Sequence, residues 1–398
     1  MPSEFHDSLL KQLQAGLREL ESRSQRRTLA EITGVNLCSN DYLGLAEHAA
    51  LKESVIEAMR GTPRIGGSGS RLLSGHEQVW NDIEEEFAAF VGAGAALYFG
   101  SGYAANIGLL TSLAGTDDVI FSDALNHASI IDGIRLSGAR KVIYGHCDLN
   151  ALESALKENR HQGRRKLIVT ETVFSMDGDV APVDAIVALA DRYGTGVIVD
   201  EAHATAVHGP HGRGIAAPAL ASGKIAAAVH TCGKALASAG AFVCGSTVLR
   251  EHLINHARTF IFSTAMPPYL AVQVREALRL AIGMDGARSE LSARSGDFAN
   301  SLRRAGWETM GSCTQIVPAV IGENHSALAA AAYLQREGFA VRAIRPPTVP
   351  QGTARLRFSL THKIAANDVS RLASTLNAWR AESTHQAHPD QLAVAGSA

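Results

Sequence analysis

The chain has 398 residues, 46% hydrophobic and 19% charged, which is enough apolar material for one large core and a smaller second one. Its 37 basic and 39 acidic residues leave a formal net charge of -2, which excludes the basic footprint of a nucleic-acid binder or of a protein docked on an anionic membrane. Five cysteines (Cys38, Cys147, Cys232, Cys244, Cys313) are odd in number, far apart and without a C-x-x-C pair, so a disulfide framework or a metal centre is not expected and a cytoplasmic, reducing location is.

Residues 1–7 are polar and no run approaches ~18 to 20 apolar residues, so a soluble protein without a membrane segment is expected. Leu9, Leu10, Leu13, Leu17 and Leu20 recur at helical spacing and predict an amphipathic helix that packs on the body or on a second subunit. From Ala95 short apolar runs alternate with helix-like stretches: Ala95 to Phe99, Val119 to Phe121, Val142 to Tyr144, Leu167 to Val169 and Val197 to Val199. That order predicts an α/β fold around a mainly parallel sheet buried on both faces. Ala226 to Val229 and Ala241 to Cys244 read as two more strands joined by a short loop that carries Lys234. After a helix over Pro268 to Met284, strands at Ile316 to Ile321, Phe339 to Ile344 and Leu356 to Leu360 alternate with long helices, as in a smaller α+β domain. The expected organisation is an N-terminal helix and segment (1–45), a large α/β domain (46–285), a small C-terminal α+β domain (286–382) and a frayed tail (383–398).

Ligands of open α/β sheets bind at the carboxyl ends of the strands, so polar residues there are the first candidates. Asp200 and His203 follow one apolar run, Thr231 and Lys234 the next, and Asp123 to His127 another. Gly100 to Asn106 opens a helix after a strand, where free N–H groups and the dipole suit a phosphate. Singly, each is an ordinary loop residue or cap. Jointly, an amine, a strand-end carboxylate, an imidazole and a phosphate cradle are the set that pyridoxal phosphate (PLP) requires: the amine for a Schiff base, the carboxylate to keep the ring nitrogen protonated, and donors for the phosphate. Asp200-Glu201-Ala202-His203 also spells a nucleotide motif of helicase-like NTPases, but neither Gly-Lys pair, Gly223-Lys224 or Gly233-Lys234, completes the G-x-x-x-x-G-K-[ST] loop those enzymes need.

At these residues the sequence resembles the α-oxoamine synthases, fold-type I PLP-dependent transferases that join an amino acid to an acyl thioester with loss of carbon dioxide. The resemblance is carried by Asn40-Asp41-Tyr42-Leu43-Gly44-Leu45, Arg71-Leu72-Leu73-Ser74-Gly75, the run from Glu171 to Asp179, Asp200-Glu201-Ala202-His203 and Phe262-Ser263-Thr264. It implies Lys234 as Schiff-base amine and proton shuttle, Asp200 on the ring nitrogen, His203 and Ser175 near the ring hydroxyl, and His127 stacked on the ring. It further implies Gly102, Tyr103 and Thr231 on the phosphate, Thr264 reaching in from the partner of a homodimer, Arg357 on the amino acid carboxylate, and Arg18 and Thr348 on the acyl substrate. Arg345-Pro346-Pro347-Thr348-Val349-Pro350 with Gly352 to Arg357 resembles the branch that takes L-alanine and a pimeloyl thioester, on coenzyme A or acyl carrier protein, in biotin biosynthesis. The alternative within the family is a glycine-using sister enzyme.

Overall fold

The computed structural model describes residues 4–387. Its strands are β1 (Val35–Asn36), β2 (Ala95–Phe99), β3 (Val119–Asp123), β4 (Arg140–Tyr144), β5 (Lys166–Glu171), β6 (Gly196–Asp200), β7 (Ala227–Thr231), β8 (Ala241–Gly245), β9 (Ile316–Gly322), β10 (Phe339–Ala340), β11 (Arg342–Ile344) and β12 (Ala354–Ser359). Strands β2 to β8 form one sheet in the order β2-β8-β7-β6-β5-β3-β4. In it β8 runs antiparallel to both neighbours and every other pair is parallel. The expected α/β architecture is therefore the one observed, and each apolar run read as a strand is one, except that Phe339 to Ile344 is divided at Val341 into β10, paired with β1, and β11, in a separate sheet.

Successive side chains of the central strands feed two different cores. Phe121, Ile168, Val197 and Val199 enter one, while Ile120, Val169 and Ile198 enter the other. The helices Gln78–Val91 and Tyr269–Ile282 cover the first through Trp80, Phe87, Ala271 and Val274; Gly102–Leu113 and Ala128–Ser137 cover the second through Leu109, Leu110, Ile130 and Ile134. Burying each such side chain stabilises the fold by about 1.5 to 3 kcal/mol. Slipping one strand by a residue would exchange its two faces, so packing fixes the register. That register aligns Glu171 with Asp200 and Asp200 with Val229, setting the functional strand ends side by side.

The loop that follows β7 must turn back so that β8 can run between β7 and β2. Gly240, at φ 81°, closes it: a Cβ there would lie 2.0 Å from the Tyr98 hydroxyl and 2.6 Å from the Phe99 carbonyl oxygen. Only glycine meets both conditions.

A three-stranded antiparallel sheet, β11-β12-β9, carries the helices Asp285–Arg304, Asn324–Arg336 and Ala366–Ala387. One further detail differs from expectation. The last helix continues through residues 383–387, where a frayed tail was expected, and residues 388–398 lie outside the described ones. The N-terminal helix Glu4–Ser22 is present but does not pack on the body: Leu9, Leu10, Leu13, Leu17 and Leu20 are all exposed, Leu13 by 56%. Among the described residues, no helix is long and apolar enough to cross a membrane.

Candidate active site

The carboxyl edge of the large sheet gathers its polar residues between β5, β6 and β7. Asp200, the last residue of β6, is buried and doubly held: its Oδ1 accepts from the Ala202 N–H at 2.8 Å and its Oδ2 from Asn106 Nδ2 at 2.7 Å. Three residues on, His203 is buried with Nδ1 2.6 Å from the Tyr42 hydroxyl and Nε2 2.8 Å from Lys234 Nζ. The Tyr42 hydroxyl donates to Asn40 Oδ1 at 3.0 Å, so it accepts from His203 Nδ1–H, which leaves the Nε2 lone pair for Lys234. Burial first, and the charge of Lys234 second, hold the His203 pKa well below its ordinary value.

Lys234 stands in the β7–β8 loop. Burial lowers its pKa to about 8, against the opposing pull of Asp200 and Glu171. An amine so placed is part free base near neutrality, as a nucleophile or base must be. Glu171, beside Asp200 in register, is raised to about 8, by burial first and by the Asp200 charge second.

A second group of donors is built by backbone. Ser101 caps the helix Gly102–Leu113, its hydroxyl accepting from the Ala104 N–H at 3.0 Å, and the N–H groups of Gly102 and Tyr103 are left at the helix start. A Cβ on Gly102 would sit 2.6 Å from Thr231 Cγ2, so this cradle exists only because position 102 has no side chain. Thr231 ends β7 opposite it. Tyr103 stands half exposed, its hydroxyl donating to Asp132, with its ring edge-on to His127. His127 caps the helix Ala128–Ser137 and accepts from the Ser129 N–H at 3.2 Å.

Arg357, on β12, brings the small sheet to the same place. Its Nε donates to the Ser175 carbonyl at 2.5 Å, one terminal nitrogen to Ser359 Oγ at 2.5 Å, and both terminal nitrogens lie 3.3 Å from Asn40 Oδ1. Among the described residues no carboxylate pairs with this buried guanidinium, an arrangement that is costly unless an anion joins it. A cavity of about 350 Å³ is lined by Arg355, also on β12, and by Leu125, Ile131, Phe174, Met176, Thr348 and Val349 among others.

Lys234, Asp200, His203, Ser175, His127, Gly102, Tyr103, Thr231 and Arg357 thus converge as the sequence led us to expect, while three residues do not join them in the single chain. Thr348 is exposed at the cavity and accepts from Arg27 at 3.3 Å. Thr264 is exposed and bridges Ser70. Arg18 lies on the exposed N-terminal helix and makes no hydrogen bond or ion pair among the described residues. Sequence reasoning missed Asn106, Tyr42 and Glu171 as site residues. Glu171 had a signal, since it ends an apolar strand as Asp200 does; Asn106, a polar residue in the apolar stretch Ala104 to Leu110, had a weaker one.

A carboxylate locked by two donors, a depressed amine, a helix start with free N–H groups and a guanidinium without a carboxylate partner could hold a cofactor with a ring nitrogen and a phosphate, and an anionic substrate. Comparison with known proteins agrees. The model of the class I and II aminotransferase family matches residues 32–376, and the chain belongs to that family. The 8-amino-7-oxononanoate synthase of Geobacter sulfurreducens is 48% identical over 369 residues, covering 92% of this chain and 93% of its own. That of Aromatoleum aromaticum is 46% identical over 390 residues, covering 94% and 100%. A serine palmitoyltransferase from S. paucimobilis with a bound PLP-myriocin aldimine superposes with a TM-score of 0.86 at 27% identity, over 94% of this chain and 98% of its own. An 8-amino-7-oxononanoate synthase from Francisella tularensis does so with a TM-score of 0.75 at 28% identity, over 88% and 99%. Within the aminotransferase family, the chain falls in the 8-amino-7-oxononanoate synthase branch.

Proposed function

We propose that the protein binds PLP and catalyses the decarboxylative condensation of L-alanine with a pimeloyl thioester, carried on coenzyme A or an acyl carrier protein. The products are 8-amino-7-oxononanoate, carbon dioxide and the free thiol carrier, a step of biotin biosynthesis. The observation that carries this reading is the meeting of Lys234, His203 and Asp200 with an arginine that lacks a carboxylate partner, in a chain 48% identical to a named synthase.

Gly102, Tyr103 and Thr231 would hold the phosphate, Asp200 the ring nitrogen, Ser175 and His203 the ring hydroxyl, and His127 the ring face. When bound, the protonated ring supplies an electron sink for charge that develops at the amino acid's α-carbon. Arg357 binds the substrate carboxylate, for which a planar fork suits better than an ammonium. Lys234 Nζ takes the α-proton and later returns one; its pKa of about 8 makes it competent in both directions near neutrality. His203 Nε2, kept unprotonated by burial, aims that amine. The mostly apolar cavity beside Thr348 takes the acyl chain.

A second copy completes the reading. The leucine face of the N-terminal helix is uncovered, and Arg18 and Thr264 reach nothing of the site in their own chain, which supports a homodimer in which each is lent across the interface.

The test is the absorbance of the purified protein on successive addition of PLP, L-alanine, glycine and pimeloyl thioester. A bound chromophore that shifts with L-alanine and gives a long-wavelength transient with the thioester is expected. A response to glycine alone would move the assignment to a sister enzyme, and no chromophore with added PLP would overturn it.

A further inference from the structure

Asp200 and His127 are linked by a chain of hydrogen bonds that the proposed mechanism does not use. Its middle members, Asn106 and Ser129, are buried, at 2% and 1% exposure, so water is not an alternative partner for either. Asp200 can only accept, so the Asn106 atom 2.7 Å from its Oδ2 is the amide nitrogen. The same nitrogen reaches Ser129 Oγ at 2.9 Å. Ser129 Oγ therefore accepts from Asn106 and has its own hydrogen to give, and the acceptor 2.8 Å away is His127 Nδ1. The Ser129 backbone N–H points at that same nitrogen from 3.2 Å. Two donors aimed at Nδ1 require a lone pair there.

We propose that Asn106 and Ser129 are positioning residues which, through this chain, with Asp200 holding the Asn106 amide nitrogen inward and Asn106 donating on to Ser129, fix His127 as the neutral ring with its proton on Nε2. The chain exists in the protein itself; only its consequence rests on the PLP reading. A neutral imidazole against a cationic ring avoids a like-charge contact, and its Nε2–H is left on the open side as a donor to substrate. Charging His127 would place a hydrogen on Nδ1 against both Ser129 donors. Around His127 stand Tyr103, Asp200, Lys234, His203 and Glu171. Although the ring keeps an exposed side, desolvation by this packing lowers its pKa, with Lys234 in the same direction and Asp200 opposed.

The test reads the tautomer directly, by two-bond hydrogen–nitrogen correlation on the full chain labelled with 15N-histidine, His127→Asn serving to assign the resonance. In the parent, without cofactor, a proton on Nε2 alone is expected at neutral pH, with the midpoint below the ordinary histidine value. A proton on Nδ1, or titration at the ordinary midpoint of ~6.5, would overturn the proposal. Ser129→Ala should raise the midpoint and mix the tautomers, and Ser129→Cys, whose thiol is a weaker donor, should fall between the two. Asn106→Ala should loosen the tautomer as well; if it left the resonance at its parent position, the link to Asp200 would be wrong. The parent measurement decides the matter even if a variant fails to fold. Cofactor absorbance on the same samples separates the two readings, since a parent with the expected tautomer but no chromophore defeats only the proposed function.

Discussion

The depressed amine of Lys234 makes the most direct quantitative claim. A fall from the ordinary value of 10.5 to about 8 raises the free-base fraction at neutral pH by about 300-fold, since each pH unit is a factor of ten. Uptake of PLP by cofactor-free protein needs that free base, so its second-order rate, followed by stopped-flow absorbance, should fall about tenfold per unit below pH ~8 and level off above it. Asp200 is the largest charge that favours the ammonium form. Asp200→Asn removes it, so the break in the profile should move to lower pH even as turnover is lost with the charge on the ring nitrogen. A rate still climbing tenfold per unit through pH ~9.5 in the parent, or a break that moves upward in Asp200→Asn, would refute the reasoning.

Other substitutions test the remaining parts of the site. Gly102→Ala puts a methyl 2.6 Å from Thr231 Cγ2 and should release the cofactor on dialysis, with Thr231→Ser in the same chain restoring retention because it removes that methyl. Tyr42→Phe leaves the buried His203 Nδ1–H without its acceptor, which should cost about 1 to 3 kcal/mol in denaturant unfolding. Arg357→Lys keeps the charge and loses the fork, so KM for L-alanine should rise well beyond any change in kcat in steady-state assays. Lys234→Ala should abolish turnover in the same assay while the fold, read by circular dichroism, persists.

Short apolar runs alternating with helix-like stretches determined the sheet. Val197-Ile198-Val199-Asp200 could be read as a strand ending in a functional carboxylate because a central parallel strand is apolar on both faces and turns polar only where it leaves the core. The same logic placed Thr231 and Lys234 at and just beyond the end of β7 and a set of free N–H groups at Gly102. It reached no further than one strand end at a time.

Which strand ends become neighbours is decided by strand order, and β6 beside both β5 and β7 is a product of packing across the whole sheet. That order brings Glu171 against Asp200, while packing of segments outside the sheet brings Tyr42 onto His203 and Arg357 of the small sheet beside Asn40 and Ser175. The sequence by itself determined the kinds of groups present and the edge where they would stand, because periodicity and turn chemistry act over a few residues. The tertiary structure decided their partners, and with them the depressed amine, the unpaired guanidinium and the hydrogen-bonded chain between Asp200 and His127, because burial and hydrogen bonding depend on residues far beyond the reach of local periodicity.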